Sequence, residues 1–275
     1  MRTVAIIAAK EIQEGLRNRW VLATTLLLAA LALSLTFLGS APTGNVGAGS
    51  LDVVVVSLSS LSIFLLPLIA LLISHDAVVG EMERGTMILL LSYPVGRGQV
   101  ILGKFVGHVL ILAFATLIGY GAAGVALSLT GAATLAASWY AFGAMLGTSI
   151  MLGAVFVAIG YLISSLVRDR GTAAGLSIGV WLIMVLVFDM ALLGLLVVDQ
   201  GRTISGATLN ALLFFNPTDL YRLTNLSGFN VSQFSGMAGL AGSTHPGLAA
   251  LLLGLCTWIV VPLGLSMLSF ARREL

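Results

Sequence analysis

The sequence predicts an all-α, polytopic membrane protein with six transmembrane helices. Of its 275 residues, 59% are hydrophobic and only 9% are charged, whereas soluble domains carry about 25% charged residues. The apolar residues form long continuous runs, which favours helices over a membrane β-barrel. So few charges cannot keep a folded surface wetted, so lipid must solvate the chain. The net charge of +2 gives no reason to expect nucleic acid as a partner.

Six apolar runs are each long enough to cross a bilayer core, which takes about 20 helical residues. Together they form one predicted domain, residues 1–275. The run from 105 to 167 has no Asp, Glu, Lys or Arg and is too long for one helix, so a turn is expected at 131–138. The predicted spans are residues 20–39, 53–74, 105–130, 139–167, 173–198 and 248–270.

Residues 1–19 are predicted to form an amphipathic helix before the first span. Val4, Ala8, Ile12 and Leu16 recur every four residues, and charged residues lie on the other side. Such a helix suits the headgroup region of a membrane; a plain cytoplasmic tail is the alternative. The recurring charges and the full-length apolar run behind them argue against a cleaved signal peptide.

Lys and Arg residues are concentrated at one set of span ends. Two of the 13, Arg202 and Arg222, fall on the side away from the termini, which leaves eleven on the side of the termini. Loops rich in Lys and Arg stay in the cytoplasm. Both termini are therefore predicted to be cytoplasmic, which requires an even number of spans, in a bacterial inner membrane.

The cytoplasmic segment between the second and third spans, residues 76–104, carries the most informative pattern. A charged helix end is followed by Gly85-Thr86, which can end one helix and start another. A short apolar helix at 87–91 comes next and leads into a stiff Tyr93-Pro94 turn. Apolar residues on a short helix with no soluble domain to cover them indicate a docking surface. A connector lying on the membrane surface is the alternative.

This segment resembles the ABC-2-type transporter permeases, through G-E-x-x-x-G-T-x-x-x-L-L-x-x-P-x-x-R followed by G-K at the next span. The resemblance covers nearly the whole chain and implies six spans, an interfacial N-terminal helix and a coupling helix that docks on a separate ATPase subunit. The matching residues are Gly80, Glu81, Gly85, Thr86, Leu90, Leu91, Pro94, Arg97, Gly103 and Lys104.

The resemblance also implies which residues carry the coupling. The second cytoplasmic loop, 164–172, is expected to be the lesser contact. The chain lacks a G-x-x-x-x-G-K-[ST] phosphate loop, so it is expected to be non-catalytic and to hold no cofactor, with ATP and Mg on the partner ATPase. The expected coupling residues are Gly80, Glu81, Glu83, Arg84, Gly85, Thr86, Pro94 and Arg97.

A narrower resemblance is to the permeases of NosDFY-type complexes, which support copper-site assembly in the periplasmic nitrous-oxide reductase of denitrification. It implies a NosF-like ATPase, a second copy of this chain and a NosD-like periplasmic protein as partners. It is carried by D-A-V-V-G-E (76–81), Y-P-V-G-R-G-Q (93–99), G-K-F-V-G-H (103–108) and N-P-T-D-L-Y-R-L-T-N-L (216–226).

The last outer segment, 199–247, is the longest stretch that does not span. Its apolar piece at 209–215 is too short to cross a bilayer, so we expect a helix at the outer surface. Polar and aromatic residues after it are of the kind enriched at interfaces. The alternative is that Asp219 and Arg222 pair locally, three residues apart. The expected contacts with the periplasmic partner are Asn216, Pro217, Asp219, Tyr221 and Arg222.

Asp189 is the only carboxylate well inside a predicted span, where a charge costs about 2.5–3.5 kcal/mol at a helix centre. It acts either in the transport path or gating, or as a neutral or hydrogen-bonded residue that seals a helix contact. Copper favours clusters of Met, Cys and His; none is evident, so we predict no metal site in this chain.

Glycines recur at four-residue spacing, which lets helix backbones approach closely. The spacing fits packing within the chain or a homodimer interface. The pairs and triplet are Gly103/Gly107, Gly143/Gly147 and Gly171/Gly175/Gly179.

Two other functions stay open. One is an ABC-2 exporter of lipid, drug or peptide on the same scaffold. A remote one is an intramembrane enzyme, but no H-E-x-x-H motif and no second intramembrane Asp are present.

Overall fold

The computed structural model describes residues 2–38, 50–129, 136–199, 206–227 and 246–273, and all regular structure within these ranges is helical. The predicted all-α, polytopic fold is thereby confirmed. The helices are α1 (Arg2–Arg17), α2 (Arg19–Leu38), α3 (Ser50–Ser74), α4 (Val79–Glu83), α5 (Thr86–Leu91), α6 (Arg97–Leu129), α7 (Ala136–Leu166), α8 (Arg170–Leu182), a π-helical segment (Ile183–Val187), α9 (Phe188–Asp199), α10 (Gly206–Leu213), α11 (Pro217–Ser227) and α12 (Leu248–Arg272).

Five helical stretches are long and apolar enough to cross a membrane, and α1 with α2 forms a bent sixth candidate. The bend between α1 and α2 is 68°. With 20 residues, α2 alone is about 30 Å long, which matches the hydrocarbon thickness of a bilayer. The five are Val54–Glu83, Arg97–Leu129, Trp139–Leu166, Arg170–Asp199 and Leu248–Arg272.

Successive spans run in opposite directions, so their termini gather at two ends of the bundle. We call one the charged end, because ion pairs and hydrogen bonds join the charged residues of α1, α4, α6, α8 and the end of α12 there. The other is the opposite end. The core centres on α7, of whose apolar window 72% is buried, whereas only 11% is buried in Arg170–Asp199. The stretch α8–α9 therefore lies at the rim of the subunit.

The helices α10 and α11 form a re-entrant segment, residues 206–227. The indole N–H of Trp258 donates to the carbonyl of Phe214 (3.1 Å), and the Asn216 amide donates to the carbonyl of Met184 (2.8 Å). Because Met184 and Trp258 lie well inside their own helices, the turn between α10 and α11 reaches into the bundle. The prediction of a helix at the outer surface is therefore wrong. The polar groups of this turn form hydrogen bonds inside the protein, and such bonds allow non-helical backbone at membrane depth.

The span from Arg170 to Asp199 is interrupted by the π-helical segment Ile183–Val187. The carbonyl of Met184 in this segment accepts both the Asn216 amide (2.8 Å) and, at 3.4 Å, the hydroxyl of Thr218. Single π turns inside α-helices are often found at functional sites. No sequence signal predicted this one.

Candidate coupling site

The coupling segment comprises α4, α5 and the turn that leads to α6, residues 76–97. After α4, Gly85 has a φ of +72°, a left-handed conformation that glycine adopts at little cost. A Cβ at Gly85 would meet nothing within 4 Å, so the requirement is conformational and not steric. The Thr86 hydroxyl then donates to the carbonyl of Glu81 (3.2 Å), which ties the start of α5 to α4.

One side of α5 holds the helix in place and the other is exposed. Met87 is fully buried, whereas Ile88, Leu89 and Tyr93 are 60%, 67% and 68% exposed. Arg84 and Pro94 are exposed beside them. We call these five exposed residues the α5 surface. It lies outside the candidate membrane spans, and exposed apolar residues grouped in this way are typical of interaction surfaces. The α5 surface comprises Arg84, Ile88, Leu89, Tyr93 and Pro94.

The start of α4 is capped by another helix. The backbone N–H groups of Val78 and Val79 donate to the hydroxyl of Ser164, near the end of α7, at 3.0 and 3.1 Å. The first N–H groups of a helix have no partner within it. Ser164 satisfies two of them and fixes α4 to the centre of the bundle.

Arg170, at the start of α8, holds α4 from a second side. Its guanidinium donates to the carbonyl of Gly80 (2.7 Å) and pairs with the carboxylate of Glu83 (3.0 Å). A Cβ on Gly80 would lie 3.0 Å from Arg170 Nε, so glycine lets the guanidinium approach the backbone. The loop 164–172, expected to be a lesser contact for a partner, also contacts the coupling segment within the chain.

A buried ion-pair cluster joins the coupling segment to α1. Lys104 Nζ lies 2.8 Å from Glu11 Oε1 and 2.8 Å from Glu81 Oε1, and all three side chains are nearly buried. Burial alone would raise the pKa of Glu11, but the Lys104 ammonium and its hydrogen bond lower it below its usual range. We call Glu11, Lys104 and Glu81 the Lys104 cluster; it connects α1, α6 and α4.

The polar contacts continue from this cluster to α7. His108 Nε2 lies 3.7 Å from Glu11 Oε2, and His108 Nδ1 lies 2.8 Å from the Tyr161 hydroxyl. The Ser266 hydroxyl on α12 donates to the carbonyl of Tyr161 (3.1 Å). Five helices therefore meet through polar side chains at the charged end.

The helix α1 packs in a groove on α6 that two glycines create. A Cβ at Gly103 would lie 2.8 Å from Ile7 Cβ, and one at Gly107 would lie 2.6 Å from Glu11 Cβ. Both separations are too short for real atoms, so larger residues would displace α1. The spacing of Gly103 and Gly107 serves packing within the chain, which is one of the two alternatives that the sequence left open.

Arg97, predicted as a coupling residue, binds the last span. Its Nη1 donates to the carbonyls of Phe270 (3.0 Å), Ala271 (3.2 Å) and Arg273 (2.6 Å) at the end of α12. A cation at a helix C-terminus satisfies unpaired carbonyls and the helix dipole. Arg97 therefore joins the start of α6 to α12.

The predicted coupling residues thus divide into three groups. Gly80, Glu81, Glu83 and Arg97 hold the segment to the bundle, Gly85 and Thr86 join α4 to α5, and Arg84 and Pro94 belong to the exposed α5 surface. The sequence analysis assigned no role to Glu11, and to Ser164 only a place in the loop expected to meet a partner. Glu11 had a detectable signal, because it lies four residues after Ile7, on the buried face of α1 formed by Ile7, Ala8 and Glu11.

The residues expected to contact a periplasmic partner lie inside the bundle. Asn216, Pro217, Asp219 and Tyr221 are buried, and only Arg222 is partly exposed. In this conformation the four buried side chains offer no outer surface, because they hold the re-entrant segment against neighbouring helices.

Tyr221 and its neighbours show how the segment is held. The hydroxyls of Tyr221 and Ser149 on α7 are 2.9 Å apart. The Thr148 hydroxyl donates to Asn225 Oδ1 (3.0 Å). Both contacts satisfy buried polar groups, which would otherwise cost about 1–3 kcal/mol each.

Asp189 pairs across helices with Arg222. Arg222 Nη2 lies 2.7 Å from Asp189 Oδ2, and Arg222 Nη1 lies 2.7 Å from Asp219 Oδ1. The local Asp219–Arg222 pair that the sequence allowed is therefore present. Asp189 therefore forms a contact between α9 and α11.

Residues 5–275 match the family described as ABC-2 family transporter protein, so the chain belongs to the ABC-2 transporter family. The bundle of candidate membrane spans with a coupling segment at one end agrees with this assignment. The chain is a multi-pass membrane permease of that class. Two relatives are each named "Probable ABC transporter permease protein NosY". The one from Pseudomonas aeruginosa is 49% identical over 276 residues, covering 100% of both chains. The one from Stutzerimonas stutzeri is 49% identical over 275 residues, covering 99% of both.

Proposed function

We propose that this chain is the non-catalytic transmembrane subunit of an ABC transporter, driven by an ATPase subunit that docks on the α5 surface. The observation that carries the proposal is the exposure of Ile88 and Leu89 on a short helix outside the spans and of Tyr93 just after it. An exposed apolar surface of this kind marks an interaction site. The partner ATPase holds ATP and Mg.

The charged end faces the cytoplasm in this proposal. Eleven of the 13 Lys and Arg residues belong to that side by sequence, and such loops are retained in the cytoplasm. Both termini are then cytoplasmic, and the re-entrant segment opens toward the periplasm. The membrane is the bacterial inner membrane.

Motion of the ATPase reaches the spans through the contacts of α4. When the ATPase displaces α5, α4 moves with it, since Gly85 and Thr86 join the two helices. From α4 the motion reaches α7 through Ser164, α8 through Arg170 and α6 through Lys104. The Lys104–Glu81 pair is nearly buried and resists separation, and the Ser164 and Arg170 contacts satisfy backbone groups of α4, so these helices move with α4.

Two copies of the chain pair in the complex, one for each ATPase subunit. The weakly covered stretch α8–α9 is the surface for the second copy. A Cβ at Gly175 or Gly179 would meet nothing within 4 Å, so this small-residue face of α8 is open to a second helix backbone. The remaining surface of the stretch is solvated by membrane lipid.

The transporter serves copper-site assembly of nitrous-oxide reductase, and a NosD-like periplasmic protein binds the opposite end. The support is the name NosY of two relatives that match this chain over its full length, together with the narrower sequence resemblance. Copper is the cargo of the pathway and is held by other subunits. The buried residues of the re-entrant segment position that segment and do not themselves touch the partner.

The test is co-purification of the ATPase with variants of the α5 surface. Leu89→Ser should abolish recovery of the ATPase while leaving membrane insertion intact, because it removes an exposed apolar contact. Ile6→Ser is the matched control, since Ile6 is 62% exposed on α1 and should retain the ATPase. Normal ATPase recovery with Leu89→Ser and Tyr93→Ser together would refute the docking site.

A further inference from the structure

Two carboxylates share one guanidinium where α11 meets α9. Arg222 binds Asp219 and Asp189 at 2.7 Å each. Asp219 is 1% exposed, and the side chains of Asp189 and Arg222 are 21% and 28% exposed. We call these three residues the Asp pair cluster. Each ionised carboxylate brings one negative charge, and Arg222 neutralises only one of them.

One oxygen of this cluster has no hydrogen-bond donor. Asp189 Oδ1 is buried and unpartnered among the described residues. The Arg222 guanidinium brings the carboxylates of Asp219 and Asp189 together, since each lies 2.7 Å from one of its nitrogens, yet two ionised carboxylates are both acceptors and cannot bond to each other. A single proton on the pair turns one of these acceptors into a donor.

The charge balance favours the same proton. With both carboxylates ionised the cluster carries a net charge of −1 among apolar helices, and a charge that is not compensated in such surroundings is unfavourable. With one proton the cluster is neutral. Like charges that share a site keep one carboxyl protonated.

The surrounding elements add no compensating cation among the described residues. The re-entrant segment packs against α3, α7, α12 and the π-helical segment. By sequence, α7 and α12 carry no charged residue before Arg272, and α10 and the π-helical segment carry none. Arg202 lies outside the described residues. The remaining titratable groups on these elements are Asp52, Tyr140, Tyr161, Asp199, Tyr221 and Cys256.

We propose that the Asp pair cluster is a proton-binding site that holds one proton between Asp189 and Asp219 at neutral pH and thereby keeps the re-entrant segment docked. Because Asp189 lies on α9 and Asp219 on α11, separation of these helices exposes both carboxyl groups to water. The carboxyl O–H bond then breaks, the electrons stay on the carboxylate and the proton passes to water. Undocking of the re-entrant segment therefore releases one proton per subunit.

The first test is infrared spectroscopy of the full chain in lipid nanodiscs. We expect the carbonyl band of a protonated carboxyl group at neutral pH, identified by its shift in D2O. The band should be lost in D189N and in D219N, each of which removes the shared proton. It should persist in E81Q, which alters the other buried acidic cluster. Absence of the band in the wild-type chain would overturn the proposal, as would a band that survives both Asp variants.

The second test is thermal stability against pH. A carboxyl group that keeps its proton more tightly in the folded state stabilises it at lower pH, and this stability is lost as pH rises through the folded pKa. The Tm of the wild-type chain should therefore fall as pH rises from about 4, the ordinary pKa of an Asp carboxyl group, through neutral pH. D189N and D219N should match the wild type at neutral pH and lose this fall, because an amide supplies a hydrogen-bond donor that carries no charge and does not titrate. A single variant that unfolds well below the wild type at neutral pH would overturn the proposal, since it would have lost an ionised partner of Arg222.

Discussion

The ammonium of Lys104 lies 2.8 Å from the carboxylate of Glu81, which joins the start of α6 to the helix that carries the α5 surface. The same ammonium binds Glu11 of α1 at 2.8 Å. A single side chain thus holds the N-terminal helix, the coupling segment and a membrane span in one unit. Neither carboxylate has another cation at comparable distance among the described residues, since Lys10 is 3.7 Å from Glu11.

Replacing Lys104 should destabilise the charged end strongly. Lys104→Met leaves Glu11 and Glu81 facing each other without their cation, and breaking a buried ion pair in this way costs about 3–5 kcal/mol. We expect a large fall in Tm of the purified chain. The control is Lys10→Met, because Lys10 is half exposed and pairs with exposed Glu14 at 3.3 Å and, more distantly, with Glu11 at 3.7 Å, and exposed pairs are worth about 0–1 kcal/mol. Equal effects of the two variants would contradict a central role for Lys104.

Substitution of Gly107 should displace α1. A Cβ at this position would lie 2.6 Å from Glu11 Cβ, and overpacking of this kind costs about 1–3 kcal/mol. Gly107→Ala should lower Tm and make α1 more accessible to protease. Gly121→Ala on the same helix should not, since a Cβ there meets nothing within 4 Å. If α1 stays protected from protease in both variants, the groove on α6 is not needed to hold α1 in place.

Gly85→Ala should alter the angle between α4 and α5. A left-handed conformation costs a residue with a Cβ about 1–2 kcal/mol, so the backbone should relax and reorient the α5 surface. We expect weaker recovery of the ATPase with normal membrane insertion. Gly98→Ala tests the specificity of the effect, because Gly98 has neither a positive φ nor a neighbour within 4 Å of its Cβ. Full ATPase recovery with Gly85→Ala would mean that the angle does not matter.

Removal of the Arg97 guanidinium should loosen the last span. Arg97→Gln loses charge-assisted hydrogen bonds to the end of α12, which are worth about 1.5–3 kcal/mol. Thermal unfolding should report the loss. Arg272→Gln, which changes an exposed arginine of the same helix end, should leave Tm nearly unchanged. A comparable fall in the Tm of both variants would mean that the loss of a positive charge, and not the loss of these hydrogen bonds, causes the effect.

The fold class was predictable because each span is a long, uninterrupted apolar run. In lipid such a run satisfies its backbone hydrogen bonds by forming an α-helix. The coupling segment was predictable from Gly85 and the apolar residues after it. The roles of Glu81 and Arg97 were not predictable, because a charged residue at a helix end is expected to be exposed unless its partner is known. Those partners, Lys104 and the carbonyls of α12, are distant in sequence.

The re-entrant segment was missed for a different physical reason. Length separates helices that span from those that do not, but it does not give the depth of a short helix. The depth is set by Asn216, whose amide reaches the carbonyl of Met184. A π turn that presents this carbonyl leaves no mark on composition or periodicity.

The span least covered by the rest of the chain, Arg170–Asp199, also has the highest mean hydropathy of the five apolar stretches. During synthesis this stretch has the greatest tendency to leave the translocon for lipid without help from neighbours. The well-covered α7 is less apolar and contains Thr148 and Ser149, whose partners Asn225 and Tyr221 are made later. The Thr148 hydroxyl can meanwhile donate to carbonyls of its own helix, but the contacts of both side chains with α11 form only once the re-entrant segment has been made, so the bundle reaches its final packing after most of the chain has left the ribosome.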